Sequence, residues 1–373
     1  MKQQKKSLTI MSIVGTRPEI IRLSRVLPKL DEYFHHIMVY TRQSYDYELS
    51  DIFFEELELR RPDYFLDVKS DSLGGQIARI IEQSEAVLKK EMPDALLVLG
   101  DTNSCLSAVI AKRMHIPIFH MEAGNRSFDW DVPEEVNRRI VDHISDFNLC
   151  YTEHARRYLI REGLHPKTIF VTGSPYAEIL AYYNSAISGN TVLTDLNLIP
   201  GGYFLVSVHR EENIEKPDRI RELFASLGSL ADAYKKPVLL SVHPRTQKKL
   251  ASLGSLHPLI HCHKPFGFLE FARLEKNAFC VISDSGTIQE ESAIAGFPAV
   301  QVRVSTERPE AFDAGSIIVT GFHKDALNDA IKMATGEFQE HRVIPADYRD
   351  VNVSEKVVKI ILGHTAIRKY HKL

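Results

Sequence analysis

The chain has 373 residues, 44% of them hydrophobic and 25% charged, with a formal net charge of −3. This is the make-up of an ordinary soluble globular protein, and it excludes any global pull toward nucleic acid or anionic lipid. The length exceeds what one hydrophobic core supports, so about two domains are expected.

From the N-terminus, "MKQQKKSLTIMSIVG" imitates a signal peptide, but its apolar run is short and "GTRPE" stands where a small-residue cleavage site belongs. A signal is therefore not expected, nor is a membrane span. Apolar strand candidates follow at 8–14, 36–41, 95–99, 117–121, 147–151 and 168–172. Helical periods such as "IIRLSRVLPKLDEY" and "IARIIEQSEAVLKK" lie between them. The polar, Gly/Asn-rich "YYNSAISGNTVLTDLNLIPGG" then reads as a linker near 175–200. Beyond it the strand candidates are 203–208, 237–242, 258–262, 279–282, 298–302 and 316–319, again with helical periods between them, and "SEKVVKIILGH" forms a last helix. The alternation predicts an α/β protein of two doubly wound, Rossmann-like parallel-sheet domains, 1–175 and 176–355, with a terminal helix and tail at 356–373. In such sheets ligands bind beyond the carboxyl ends of the strands, so two facing domains predict an interdomain cleft. Cys105, Cys150, Cys262 and Cys280 are scattered without CxxC pairing, which predicts reduced thiols in a cytoplasmic protein.

The polar residues gather where strands end. Strand 8–14 runs into "GTRPEIIR", 95–99 into "GDTNS" and 117–121 into "HMEAGNR". In the second half the corresponding loops are "HREEN", "HPRT", "SDSGTIQEES" and "RVSTERPE". "SDSGTIQEE" is the best anion site, because Gly286 permits close backbone approach and the following helix offers free N–H groups. An ordinary helix cap explains the same residues. In "GTRPEIIR", Arg17 and Arg22 could hold phosphate, or could be surface arginines beside a capped helix. Neither loop is a Walker A or a GxGxxG, so no dinucleotide cofactor is expected.

Five acids lie close together after strand 117–121: Glu122, Asp129, Asp131, Glu134 and Glu135. A metal cage would need ligand spacings that are missing, since there is no HExxH, no paired CxxC and no calcium loop. Helix capping accounts for "VPEE" equally well, and a solvated loop accounts for Asp129 and Asp131. Proton chemistry is the third reading. Asp101, Glu122 and Glu134 come from three loops and can surround a substrate, and crowded carboxylates split into acid and base.

Taken together in this order, "GTRPE", "GDTNS", "HMEAGNR", "VPEEVNRR", "HREEN", "HPRT", "SDSGTIQEES" and "STERPE" resemble the non-hydrolysing UDP-N-acetylglucosamine 2-epimerase family over about residues 8–360. The variants "GTRPEIIRLSRVL", "QSYDYEL", "GDTNSC", "HMEAGNRSFD" and "GSP" most resemble the branch acting on UDP-2-acetamido-2,6-dideoxy-L-talose, which makes UDP-N-acetyl-L-fucosamine for capsule and O-antigen. The alternative within the family is UDP-N-acetylglucosamine. A UDP-sugar glycosyltransferase and a catalytically silent nucleotide-sugar binder are more remote.

The resemblance implies a glycosyltransferase-B-like fold, a homodimer, a terminal helix returning to the first domain, and chemistry without metal or nicotinamide. It implies Asp101, Glu122 and Glu134 for proton handling and His209 near the pyrophosphate. It implies Arg17, Arg22, Phe271, Ser285, Gly286, Thr287, Glu291 and Arg308 for UDP. There are departures: Arg22 for a usual Lys, Arg42 for a usual Gly, Phe266 for a Gln that touches uracil in the UDP-N-acetylglucosamine enzymes, and Trp130-Asp131 for the polar pair usual in the 6-deoxy-talose branch.

Overall fold

The computed structural model describes residues 7–42, 53–208, 217–242, 257–303, 306–336 and 342–371. The chain divides into two compact units, Met1–Ile179 with Asp347–Leu373, and Leu180–Ala346. Among the described residues, the first unit holds the strands β1 (Thr9–Val14), β2 (His35–Tyr40), β3 (Tyr64–Phe65), β4 (Ala95–Leu99), β5 (Ile118–Met121), β6 (Phe147–Cys150) and β7 (Ile169–Val171). The second holds β8 (Phe204–Ser207), β9 (Val238–Ser241), β10 (Ile260–His263), β11 (Cys280–Ser283), β12 (Ala299–Val302) and β13 (Ile318–Thr320). Every described strand pair is parallel.

The composition of the strands explains the topology. A parallel sheet is covered on both faces, so its strands are continuously apolar rather than alternating. β4, "ALLVL", is buried at every position, and β1 is buried from Ile10 to Val14. The sheet orders are β3-β2-β1-β4-β5-β6-β7 and β10-β9-β8-β11-β12-β13. In each, the order reverses between the first strand and the fourth. Ligands bind in the crevice at such a switch point, beyond the carboxyl ends of the two strands. For the first unit these ends carry "GTRPE" and "GDTNS"; for the second, "HREEN" and "SDSGT".

The helices used below are α1 (Arg17–Leu23), α2 (Val26–Tyr33), α3 (Leu73–Glu91), α4 (Ser107–Arg113), α5 (Pro133–Ile144), α6 (Glu153–Arg161), α7 (Tyr176–Gly189), α8 (Val192–Asp195), α9 (Pro217–Tyr234), α10 (Phe268–Asn277), α11 (Ile288–Ala295), α12 (Pro309–Asp313), α13 (Lys324–Thr335) and α14 (Val353–His371). Their starts follow local chemistry. Ser72 Oγ accepts the Gly75 N–H ahead of α3, and Thr152 Oγ1 accepts the Ala155 N–H ahead of α6. Prolines open α5, α9 and α12, where no N–H is needed. α14 packs on α2, and the Ser354 N–H donates to Glu178 at 2.8 Å.

Four sequence expectations change. The supposed linker near 175–200 is largely helical, in α7 and α8, with Tyr183 and Ile187 buried. The division between units falls inside α7, and the second division falls at Ala346/Asp347 rather than at 355. The single helical run 20–33 breaks into α1 and α2, because Pro28 can neither donate to the Ser24 carbonyl nor clear it. β3 was not expected, since two residues are too few to register as an apolar run.

Candidate active site

β4 and β5 pair up to Leu99 and Met121, and the Gly100 N–H donates to the Met121 carbonyl at 2.9 Å. Asp101 and Glu122 therefore leave neighbouring strand ends side by side. Glu122 is half-buried with φ 61, the left-handed region, which costs a side-chain-bearing residue about 1 kcal/mol or more. Its Oε1 accepts from Asn125 Nδ2 at 3.3 Å. Asp101 Oδ2 accepts from Arg138 Nε at 2.9 Å and Nη2 at 2.6 Å, and its backbone carbonyl accepts from Asn137 Nδ2 at 2.9 Å. Glu134 stands in the first turn of α5, three and four residues before Asn137 and Arg138, and so shares the helix face that grips Asp101. Asp101, Glu122 and Glu134 thus belong to one edge of the first sheet.

Beneath them lies a buried charged framework, of which Glu135 was legible in the sequence as a capping candidate. Glu135 is fully buried, and its Oε2 accepts from the Ser127 N–H, Ser127 Oγ and Arg138 Nη1, each at 3.0 Å. Asp142, also fully buried, receives the Gly124 N–H at 3.2 Å on both oxygens and Arg126 Nη1 at 2.7 Å. His120 Nδ1 lies 2.9 Å from Asp142, and its Nε2 lies 2.8 Å from the Gly100 carbonyl. Gly124, at φ 84, is required here, because a Cβ would sit 2.6 Å from the Ala155 carbonyl oxygen. Arg126 then reaches Glu162 with two bonds, at 2.8 and 2.6 Å. Burial alone would push the Glu162 carboxyl up, but Arg126, with His143 and Arg139, outweighs it and draws it down to about 2. The left-handed turn at Glu122 is therefore held from below by residues of α5 and the loop after β5. The signal available in the sequence was the i, i+3, i+4 spacing of Glu135 with Arg138 and Arg139.

The β1 loop carries Arg17, whose guanidinium lies 4.3 Å from the centre of the Phe53 ring, and Arg22, buried and 5.1 Å from that of Tyr176. Between them, Glu19 is buried and accepts from the Gly15 N–H, Thr16, Thr102 and Ser104. Burial raises its pKa although all four hydrogen bonds oppose the rise. Arg42 does adopt φ 45, the conformation that favours glycine, and its guanidinium stacks 4.3 Å from the Phe65 ring centre. Trp130 is exposed and covers Arg139 at 4.9 Å.

In the second unit, Ser285, Gly286 and Thr287 are half-buried between β11 and α11, and Thr287 is the N-cap. Ser285 Oγ lies 2.9 Å from Thr287 Oγ1 and accepts the Thr287 N–H at 3.3 Å. A Cβ at Gly286 would collide with the Glu307 carboxylate, itself 3.1 Å from Arg303 Nη1. Arg308 is almost fully buried; its Nε donates to the Gly286 carbonyl at 3.2 Å and its Nη1 is 3.3 Å from Glu290. Glu291, half-buried, follows in α11. Phe271 packs from α10 against the core that holds Phe266, whose ring stacks on His263 at 4.2 Å. Ser285, Gly286, Thr287, Glu291 and Arg308 thus meet around the start of α11, with Phe271 on a neighbouring helix. His209 with "HREEN", "HPRT" and "QSYDYEL" lie outside the described residues.

Among the described residues there is no group of three or more His, Cys, Asp or Glu placed to hold a metal ion, and no helix is long and apolar enough to cross a membrane. The four cysteines form no disulfide, and burial pushes their thiols up.

Comparison with known proteins places these features in context. Residues 29–362 match the family described as UDP-N-acetylglucosamine 2-epimerase. A UDP-N-acetylglucosamine 2-epimerase of Methanocaldococcus jannaschii is 38% identical over 333 residues, 86% of this chain and 90% of that protein. The structure of UDP-N-acetylglucosamine 2-epimerase from Rickettsia bellii superposes with a TM-score of 0.90 at 44% identity, covering 97% of this chain and 98% of that one. A Methanocaldococcus jannaschii structure in complex with UDP-GlcNAc and UDP gives a TM-score of 0.89 at 34% identity, covering 95% and 100%.

Proposed function

The chain belongs to the UDP-N-acetylglucosamine 2-epimerase family and is a nucleotide-sugar 2-epimerase, and on that premise we propose that it interconverts UDP-N-acetylglucosamine and UDP-N-acetylmannosamine. The relatives' names support this substrate over the 6-deoxy-talose sugar expected from loop variants. Trp130 and Asp131 also depart from the polar pair expected of the 6-deoxy-talose branch.

The reaction inverts a carbon whose hydrogen is not adjacent to a carbonyl. Breaking the C1–O bond first builds positive charge on the sugar and makes the C2 hydrogen acidic enough to remove. A glycal-type intermediate then takes a proton on the opposite face, and UDP returns. The enzyme needs acid/base groups for both faces and donors for the leaving pyrophosphate. The observation that carries this reading is the grouping of Asp101, Glu122 and Glu134 at one sheet edge, with Glu122 kept in a strained conformation by the framework below it.

Glu122 and Glu134 are the proton-transfer pair in this reading. Asp101, doubly bonded to Arg138, supports them as a fixed anion, and His209 serves the pyrophosphate. Arg17, Arg22, Phe271, Ser285, Gly286, Thr287, Glu291 and Arg308 are the UDP contacts, with Glu291 accepting from ribose and Arg308 pairing with phosphate. No metal or nicotinamide takes part in this scheme. The family resemblance further implies a homodimer, which light scattering tests, and a cytoplasmic location.

Proton NMR in D2O with each UDP-sugar tests the function. UDP-N-acetylglucosamine should gain deuterium at C2 and yield UDP-N-acetylmannosamine. Turnover confined to the 6-deoxy-talose substrate would restore that branch, and acceptor-dependent UDP release without C2 exchange would indicate a glycosyltransferase. Glu122→Gln and Glu134→Gln should each abolish exchange while UDP affinity, measured by calorimetry, stays within about tenfold. Unchanged turnover in both would remove their assignment.

A further inference from the structure

At the switch point of the first sheet, the described β1–β4 register ends at Ser12 with Leu97, short of the two loops that carry Arg17 and Asp101. Backbone pairing therefore does not fix one loop against the other. Glu19 does bridge them. Its Oε2 accepts the Gly15 N–H at 3.0 Å and Ser104 Oγ at 2.8 Å; its Oε1 accepts Thr16 Oγ1 at 2.8 Å and Thr102 Oγ1 at 2.5 Å.

Part of this is ordinary helix capping. Thr16-x-x-Glu19 has capping-box spacing, although Thr16 gives its hydroxyl to Glu19 instead of accepting a first-turn N–H. Capping explains the bonds to Gly15 and Thr16. It does not explain the bonds to Thr102 and Ser104, which lie 83 and 85 residues away.

We propose that Glu19 is a positioning residue for the epimerase reaction, a common acceptor that fixes the Arg17 loop against the Asp101 loop. The proposal rests on the functional reading above. It accounts for a fully buried carboxylate that touches none of the reacting groups and whose partners are all donors.

Two variants separate this role from capping. Glu19→Gln is itself a capping-box residue, so a mere cap would tolerate it. The Gly15 N–H cannot reverse, so it would claim the amide oxygen, turning the NH2 toward Thr16 and Thr102. Thr102→Val removes the Thr102 half of the bridge, keeps the Ser104 bond, and leaves the helix start intact.

The experiment measures C2 deuterium incorporation from D2O into UDP-N-acetylglucosamine for wild type, both singles and the double variant, with UDP affinity by calorimetry and melting temperature alongside. Each single should lower kcat/KM for exchange about tenfold, chiefly in kcat, with UDP affinity changed less than about threefold. The double should be no worse than the poorer single, because both act on the one bond between residues 19 and 102. Additive losses, or exchange at the wild-type rate in either single, would overturn the proposal while leaving the function standing. Should Glu19→Gln fail to fold, Thr102→Val alone decides on the same rate criterion. A wild-type protein that exchanges no C2 hydrogen would instead remove the functional reading, and the positioning role with it.

Discussion

Glu135, fully buried, takes Arg138, Arg139 and both the N–H and hydroxyl of Ser127, so the start of α5 around Glu134 is fixed from beneath. Its neighbour Glu134 lies one residue earlier and about 100° around the helix, half-buried on the face that grips Asp101. The sequence offered both acids as equal capping candidates, and helix phase against the sheet, a tertiary quantity, separates them. The same limit applied to Asp101, which was legible as a strand-end acid but not as the partner of Arg138. Glu162 was not legible as part of the site at all, since its partner Arg126 lies 36 residues away. It gives a testable pH effect. A carboxyl lowered from 4.5 to about 2 in the folded state stabilises the fold above the unfolded value, and that stability is lost as pH falls from 4.5 toward 2. Glu162→Gln should cost about 1–3 kcal/mol near neutral pH and flatten the dependence of unfolding free energy on pH in that window, as read by denaturant titration. An unchanged slope would mean the Arg126 pair contributes nothing measurable.

The helices and strands differ in how openly the sequence announces them. Central strands such as β4 and β11 were legible because both faces are buried and the run is apolar throughout β4 and up to Ser283 in β11. α7 was misread as linker because its polar positions, including Asn184, Ser185 and Asn190 just beyond it, resemble loop composition, while burial of Tyr183 and Ile187 is what keeps it helical. α14 supplies the prediction at this scale. Val353, Val357 and Ile361 are fully buried, and the helix is tied by Ser354 to Glu178 and by Lys356 Nζ to the Thr172 carbonyl at 3.1 Å. Ile361→Ala should destabilise the protein by about 2–5 kcal/mol in thermal or denaturant unfolding. A loss under about 0.5 kcal/mol, the range of an ordinary surface substitution, would show that this helix is not part of the first unit's core.

At the scale of the whole molecule, two parallel sheets share one arrangement of their first strands, and in sequence the candidate loops follow the strands at each switch point. That much was legible, because strand ends and loop chemistry are both local. The sugar carried by the nucleotide was not, since discrimination of a methyl from a hydroxymethyl rests on a small packing surface and is worth only about 1–3 kcal/mol. The proposed chemistry is the stronger claim: that UDP departs, waits, and returns while carboxylates reset C2. UDP-N-acetylglucosamine carrying oxygen-18 in the bridge between C1 and the β-phosphate tests it most directly. The label should scramble into the non-bridging β-phosphate positions during epimerisation; complete epimerisation with the label still wholly in the bridge would contradict the account.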